Sequence, residues 1–304
     1  MKVTVTGATG MIGRAVVEEL LARGDEVTVL SRDAGKASGA FGGRVRALEW
    51  QEPKSEVPPF EAVTGQDGVI HLLGEPVAQR WSDQAKREIR DSRVLSTRNL
   101  VSALEGAAPR PAVLVSQSAS GWYGPRGDER VDESEPAAGD FLAQVCVEWE
   151  AEASRAEELG MRVALTRTGV VLSQSGGALE KMLPPFKAGV GGPVAGGRQY
   201  VPWIHTDDVV GSLIFALDAE AASGPLNLSA PGPVTNKELS KTLGRVLKRP
   251  AVAPVPGFAV KVLYGDMAQI VTTGVRMVPK RLEELGYGFR QANLEQALRS
   301  ATGK

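Results

Sequence analysis

The spacing Gly7-x-x-Gly10-x-x-Gly13, set between an apolar run at Val3–Val5 and a segment of helical period, constrains this chain more than any other feature. Three glycines at a strand-to-helix turn leave no Cβ between the backbone amides and whatever approaches them. The helix that follows presents its N-terminal N–H groups to the same point. Its apolar face, Ile12, Val16, Val17, Leu20 and Leu21, ends at Gly24, where a C-terminal cap belongs. A second apolar strand, Glu26–Leu30, follows. Strand, glycine turn, helix and strand in that order are the arrangement that holds a dinucleotide pyrophosphate, with Gly7, Thr9, Gly10, Met11, Ile12 and Gly13 around it.

The end of that second strand reads Ser31-Arg32. A carboxylate at this place would accept from an adenosine ribose 2′-OH and repel a 2′-phosphate, whereas a guanidinium matches phosphate geometry. The expected cofactor is therefore NADP(H), ahead of NAD(H).

Further short apolar runs at Val45–Glu49, Gly68–Leu73, Ala112–Ser116, Arg162–Thr166 and Leu226–Leu228 alternate with helical stretches, the longest running from Ser82 as N-cap to Leu104, with Gly106 ending it. This predicts an α/β fold, a doubly wound and mainly parallel Rossmann-like sheet of about seven strands. With 304 residues, the chain accommodates one large unit and an appendage. The expected division is a domain over 1–250, with the main sheet in 1–172 and returning elements at about 203–230. Glycine- and proline-rich loops with a hairpin over 173–202 would cover the substrate. After the break at Pro250–Pro256, a smaller helical domain would occupy 251–304.

Thirty-five Lys and Arg against 36 Asp and Glu give a formal net charge of −1, so neither nucleic acid nor an anionic membrane is expected as partner. No apolar run reaches the roughly 18 residues of a membrane span. The lone Cys146 has no disulfide partner, and two histidines do not suggest a structural zinc site. A cytoplasmic protein is expected, with a small-molecule substrate and a homodimer among the assemblies open to it.

The glycine spacing resembles that of the extended short-chain dehydrogenase/reductases. Arg80-Trp81 with Arg93, the run Ser118-Ala119-Ser120-Gly121-Trp122-Tyr123-Gly124, Phe186 to Pro193, and Val201-Pro202-Trp203-Ile204-His205-Thr206-Asp207-Asp208 resemble an atypical, epimerase-like branch of that superfamily. Leu263 to Met267, Arg276 to Leu282 and Gly286-Tyr287-Gly288-Phe289 are similar to its C-terminal domain of unknown function. The resemblance implies an NADP(H)-binding oxidoreductase or nucleoside-diphosphate-sugar-epimerase-like enzyme acting by hydride transfer on a small carbonyl or sugar-like substrate. It extends the cofactor-contacting set to Ser31, Arg32, Leu73, Gly74, Arg93, Ser116, Thr168 and Gly169.

The chain departs from that superfamily where proton transfer is expected. Tyr-x-x-x-Lys is absent; Cys146 aligns with the tyrosine and Glu150 with the lysine, which would set a negative charge where a positive one stabilises a phenolate. Arg93 replaces an asparagine. Ser118 is the retained member of the catalytic group, either donating to a substrate oxygen or bonding its own backbone, and Tyr123 is either a substitute proton carrier or a packing aromatic. Lys181, Lys187, Arg198, Tyr200 and Trp203 fall in the substrate-covering stretch. A cofactor-binding regulatory module, sensing NADP(H) or associated with cell division without catalysis, is the competing expectation.

Overall fold

Strands in the interior of a sheet have all their backbone polar groups to satisfy, and parallel pairing with helices on both faces achieves this. The computed structural model describes all 304 residues. The chain runs β1 Lys2–Thr6, α1 Met11–Arg23, β2 Glu26–Ser31, α2 Ala34–Ala40, β3 Arg46–Glu49, β4 Gly68–His71 and α3 Asp83–Gly106. It continues through β5 Val113–Ala119, β6 Arg130–Val131, α4 Phe141–Ser154, β7 Arg162–Thr168, β8 Val170–Ser173, α5 Gly177–Lys187, β9 Tyr200–Val201 and β10 Trp203–His205. There follow α6 Thr206–Asp218, β11 Gly224–Leu228, β12 Val234–Thr235 and α7 Asn236–Leu247. The last segment holds α8 Gly257–Tyr264, α9 Gln269–Thr272, β13 Arg276–Met277, α10 Lys280–Glu284 and α11 Leu294–Thr302.

The main sheet has the order β11-β7-β5-β4-β1-β2-β3, and every pair in it is parallel. These are the seven strands expected from the sequence, with ends moved by at most three residues. The order reverses at β1, so the crevice beyond its C-terminal end is the place where such sheets bind ligands. Gly24 closes α1 in the left-handed conformation at φ 88°, and Ser82 caps α3 by accepting from the Ala85 amide at 3.1 Å.

One expectation fails. Residues 173–202 are not loops alone, because Leu179, Leu183 and Phe186 share a helical face and form α5, with Leu179 and Phe186 buried. Glycines and two prolines hid that period. Gly189 to Gly197 forms no hairpin either: Val194 bridges Val255 in parallel and its amide donates to Asn236 Oδ1.

The C-terminal segment shares the core of the rest. Leu282 belongs to the cluster around β1 and α1, and Leu294, Ala297, Leu298 and Ala301 of α11 pack with α5 and α7 residues. Buried Asp208 on α6 accepts from the amides of Arg290 and Gln291 at 2.7 and 2.9 Å. Leu298→Ala, at a fully buried position, is expected to lower unfolding free energy by about 2–5 kcal/mol in urea denaturation, through lost transfer energy and a residual cavity.

His71 ties the ligand-bearing ends of β1 and β4 to α3. Thr97 Oγ1 donates to Arg93 O at 2.7 Å, so His71 Nε2–H donates to Thr97 Oγ1 at 3.0 Å. His71 Nδ1 then accepts from Thr6 Oγ1 at 2.7 Å, and Thr6 Oγ1 accepts from the Leu72 amide. Every donor has an acceptor only while the ring is neutral, and burial lowers its pKa to about 3. The unfolded chain takes up this proton near pH ~6.5 and the folded chain does not, so stability falls as pH drops from ~6.5 toward the folded value, by up to roughly 5 kcal/mol. Urea midpoints measured across that window should show a weaker pH dependence in His71→Asn than in the parent.

Candidate dinucleotide groove and buried polar network

The turn after β1 is shaped so tightly that only glycine fits. Gly7 has φ 65° and a Cβ there would lie 2.7 Å from Leu72 O, while a Cβ on Gly13 would lie 2.2 Å from Gly7 O. Gly10 is the N-cap of α1 and supplies no side-chain cap, and the first turn carries no acidic residue. The amides of Met11, Ile12 and Gly13 find no backbone acceptor in the preceding turn, as the start of any helix requires. They and the positive end of the helix dipole therefore face the crevice, ready for an anion.

A groove of about 500 Å³ runs from this turn. Of the residues expected at a cofactor, Gly7, Thr9, Gly10, Ser31, Arg32, Leu73 and Gly74 line it. Met11, Ile12 and Gly13 contribute amides rather than lining side chains. Sequence reasoning missed Trp50, Pro53 and Lys54 after β3, and Glu75, Glu88 and Ser92 around α3; the paired charges Lys54 and Glu88 were the available signal. Lys54 Nζ is held by Glu88 at 2.7 Å, and that bond raises its pKa. Arg32 is exposed and makes no ion pair, so it is the free cation at this rim.

Arg93, Ser116, Thr168 and Gly169 do not line the groove. Arg93 donates to Ile89 O and Glu75 O, both at 2.9 Å, and lies 5.3 Å from the Trp149 ring centre; it clamps the loop after β4 to α3 and α4. Burial lowers its pKa. Ser116 is buried with no partner for its hydroxyl. Thr168 donates back to Thr166 O, and Gly169 is required because a Cβ would lie 1.9 Å from Pro202 O. In the stretch over the site, Trp203 is core, donating to Gly232 O, and Lys181 donates to Ala78 O.

Behind the groove, the positions aligned with tyrosine and lysine form something the sequence did not disclose. Arg167, on β7, donates through Nε and Nη2 to the two carboxylate oxygens of Glu150 on α4, each at 2.9 Å. Both side chains are almost fully buried. Burial opposes the Arg167 charge, but Glu150 outweighs it and raises the guanidinium pKa. The expected unbalanced negative charge at Glu150 is therefore corrected: it is neutralised by an arginine from a neighbouring strand. Ser118 Oγ donates to Glu150 Oε1 at 2.6 Å. Arg167 also donates to Tyr123 Oη at 3.0 Å and lies 3.8 Å from the Trp122 ring centre.

Tyr123 Oη donates to Asn227 Oδ1 at 2.7 Å, and Asn227 Nδ2 donates to Val278 O in the C-terminal segment. Burial pushes the Tyr123 pKa up to about 12 against the pull of Arg167. Burial, then the charge of Glu150, pushes the Cys146 thiol up to about 12. Both groups keep their protons at neutral pH.

A seven-stranded parallel sheet with a glycine cradle and a groove at its switch point defines a Rossmann-type dinucleotide-binding protein of the extended short-chain dehydrogenase/reductase kind. The chain belongs to the NAD dependent epimerase/dehydratase family, whose model matches residues 3–229, and residues 255–301 match a domain of unknown function, DUF1731. It is 40% identical over 309 residues to an epimerase family protein SDR39U1 homolog, chloroplastic, of Arabidopsis thaliana, covering 99% of this chain and 86% of that one. The mouse epimerase family protein SDR39U1 is 36% identical, with 98% and 99% covered. A crystal structure of the human epimerase family protein SDR39U1, isoform 2, with NADPH superposes at TM-score 0.89 with 33% identity and full coverage of both chains. A UDP-glucuronic acid 4-epimerase from Bacillus cereus, in complex with UDP-glucuronic acid and NAD, shares the fold at TM-score 0.79 and 16% identity over 100% of this chain and 98% of that one. No helix is long and apolar enough to cross a membrane.

Arg167→Met is expected to destabilise the protein by about 3–5 kcal/mol, because Glu150 is left buried and unpaired. Arg167→Met combined with Glu150→Gln should recover part of that loss in chemical denaturation. Equal stability of the single and double variants would show that the pair does not hold the charge.

Proposed function

We propose that the chain binds NADP(H) in the groove and acts as an oxidoreductase on a small carbonyl or sugar-like compound. The observation that carries this reading is the glycine cradle, closed to any side chain, with the unpaired Arg32 at its rim. The NADPH of the human relative's structure agrees with it. Residues 1–250 would hold the cofactor and 251–304 would close the substrate side.

When bound, the nicotinamide supplies the hydride chemistry. The amides of Met11, Ile12 and Gly13 hold the pyrophosphate, Arg32 meets the 2′-phosphate, and Arg93 fixes the loop of Leu73 and Gly74 that flanks the dinucleotide. Ser118 and Tyr123 serve as positioning residues in this reading, since each hydroxyl ends on another protein group. The Tyr123 and Cys146 protons are already given to Asn227 Oδ1 and Ala119 O, so in this reading the proton at the carbonyl comes from water or from the substrate itself.

A regulatory NADP(H)-sensing module is the second reading, favoured by the closure of the Ser118–Glu150–Arg167–Tyr123 network. Mixing NADPH-loaded protein with a panel of aldehydes, ketones and sugar-like compounds separates the two: oxidation of the cofactor supports the enzyme, and tight binding with no oxidation across the panel supports the sensor. For the cofactor itself, calorimetry should give NADPH at least about ten-fold tighter than NADH. Arg32→Asp should weaken NADPH by about 10–100-fold and leave NADH nearly unchanged, since a charge-assisted phosphate contact becomes a repulsion. An unchanged preference would sink the role given to Arg32.

A further inference from the structure

A second cavity of about 360 Å³ lies between the α/β body and the C-terminal segment, sharing no lining residue with the dinucleotide groove. Its α/β wall comes from the first turns of α3 and α4. Helices of a parallel sheet begin at the C-terminal edge of the strands, so this wall stands on the same edge as the glycine turn. Trp81, buried and donating Nε1 to Val77 O at 2.9 Å, meets Phe141 edge-on with ring centres 5.3 Å apart. The two rings give the cavity an apolar, aromatic wall.

The opposite wall carries Lys261 of α8 and Asp266 of the turn after it. Lys86, from α3, spans the cavity: its Nζ lies 2.9 Å from Asp266 Oδ2 and 5.7 Å from the Phe141 ring centre. One carboxylate thus faces two ammonium groups, and Lys261 has no ion pair of its own. Arg80 also has no ion pair, and its Nε lies 4.0 Å from where a Cβ on Gly265 would stand. The charge left over at this cleft is positive, in a chain whose total is −1.

We propose that this cavity binds a small organic anion, a carboxylate or a phosphate monoester on an apolar or ring-bearing body. The anion meets Lys261 and Lys86 while the body lies against Trp81 and Phe141. That such an anion is the substrate class rests on the oxidoreductase reading above; its binding does not. Asp266 then acts as a gatekeeper, occupying Lys86 until an anion replaces it, and Lys86 holds the Asp266 carboxyl below its ordinary range.

The test titrates the full-length protein, with and without saturating NADPH, with phenyl phosphate, phenylacetate and the uncharged phenylacetamide in a calorimeter. Both anions are expected to bind at least about ten-fold tighter than the amide. The tighter of the two identifies the phosphate or the carboxylate form. Lys261→Ala, at an exposed position that does not endanger folding, should weaken both anions about three- to ten-fold and leave the amide and NADPH unchanged. Asp266→Asn should tighten both anions by freeing Lys86. Equal binding of the amide, indifference to Lys261→Ala, or displacement of the anions by NADPH would overturn the proposal. Anion binding in a chain that fails to bind NADPH would overturn the cofactor reading alone.

Discussion

A guanidinium enclosed within a parallel sheet must be matched by an equally buried charge, and the Arg167–Glu150 pair is that match. It joins β7 to α4, and through Ser118 and Tyr123 it reaches β5 and the turn after it. Through Asn227 it continues to β11 and to Val278 of the C-terminal segment. A buried pair of this kind adds little net stability against an apolar replacement, yet loss of either partner is costly. Its consequence is geometric: β5, β7, β11, α4 and the C-terminal segment are tied to one another through a single buried network.

That geometry bears on function because the same positions carry tyrosine and lysine in the superfamily this chain resembles. Replacing them by a thiol and a carboxylate removes a phenolate-stabilising cation from the helix and returns a cation from the opposite strand. The returned charge is shared with Glu150, and its pull on Tyr123 is outweighed by burial, which leaves the phenol above its ordinary range. The glycine cradle and the groups at the aligned tyrosine and lysine positions thus stand on different elements, β1–α1 and α4. The cradle consists of backbone amides and glycines, and Tyr-x-x-x-Lys is absent from the chain.

Some of this was legible in advance. The seven sheet strands read directly from short runs rich in apolar and β-branched residues, which stand out between helical stretches. The caps Ser82 and Gly24 read equally well, being local backbone requirements. The helix α5 did not, because Gly176, Gly177, Pro184 and Pro185 break the pattern by which a helix is recognised. Half of the expected cofactor residues line the groove. Ser116 and Thr168, buried in β5 and β7, and Gly169, packed against Pro202, do not, and the one mark of the lining around Trp50 and Lys54, the charges of Lys54 and Glu88, pairs only once the fold brings them together.

The sequence by itself determined the strand-turn-helix-strand start, the glycine cradle and the cation at the end of β2, because each depends on residues within a few positions of one another. The tertiary structure alone decided that Glu150 is neutralised, that Ser118 and Tyr123 face inward, and that Lys86 meets Asp266 across a cleft. Those partners are separated by 17, 32, 44 and 180 positions along the chain. Local propensity carries no information about such a pairing; it follows from which strands become neighbours and from the need of every buried charge for a partner.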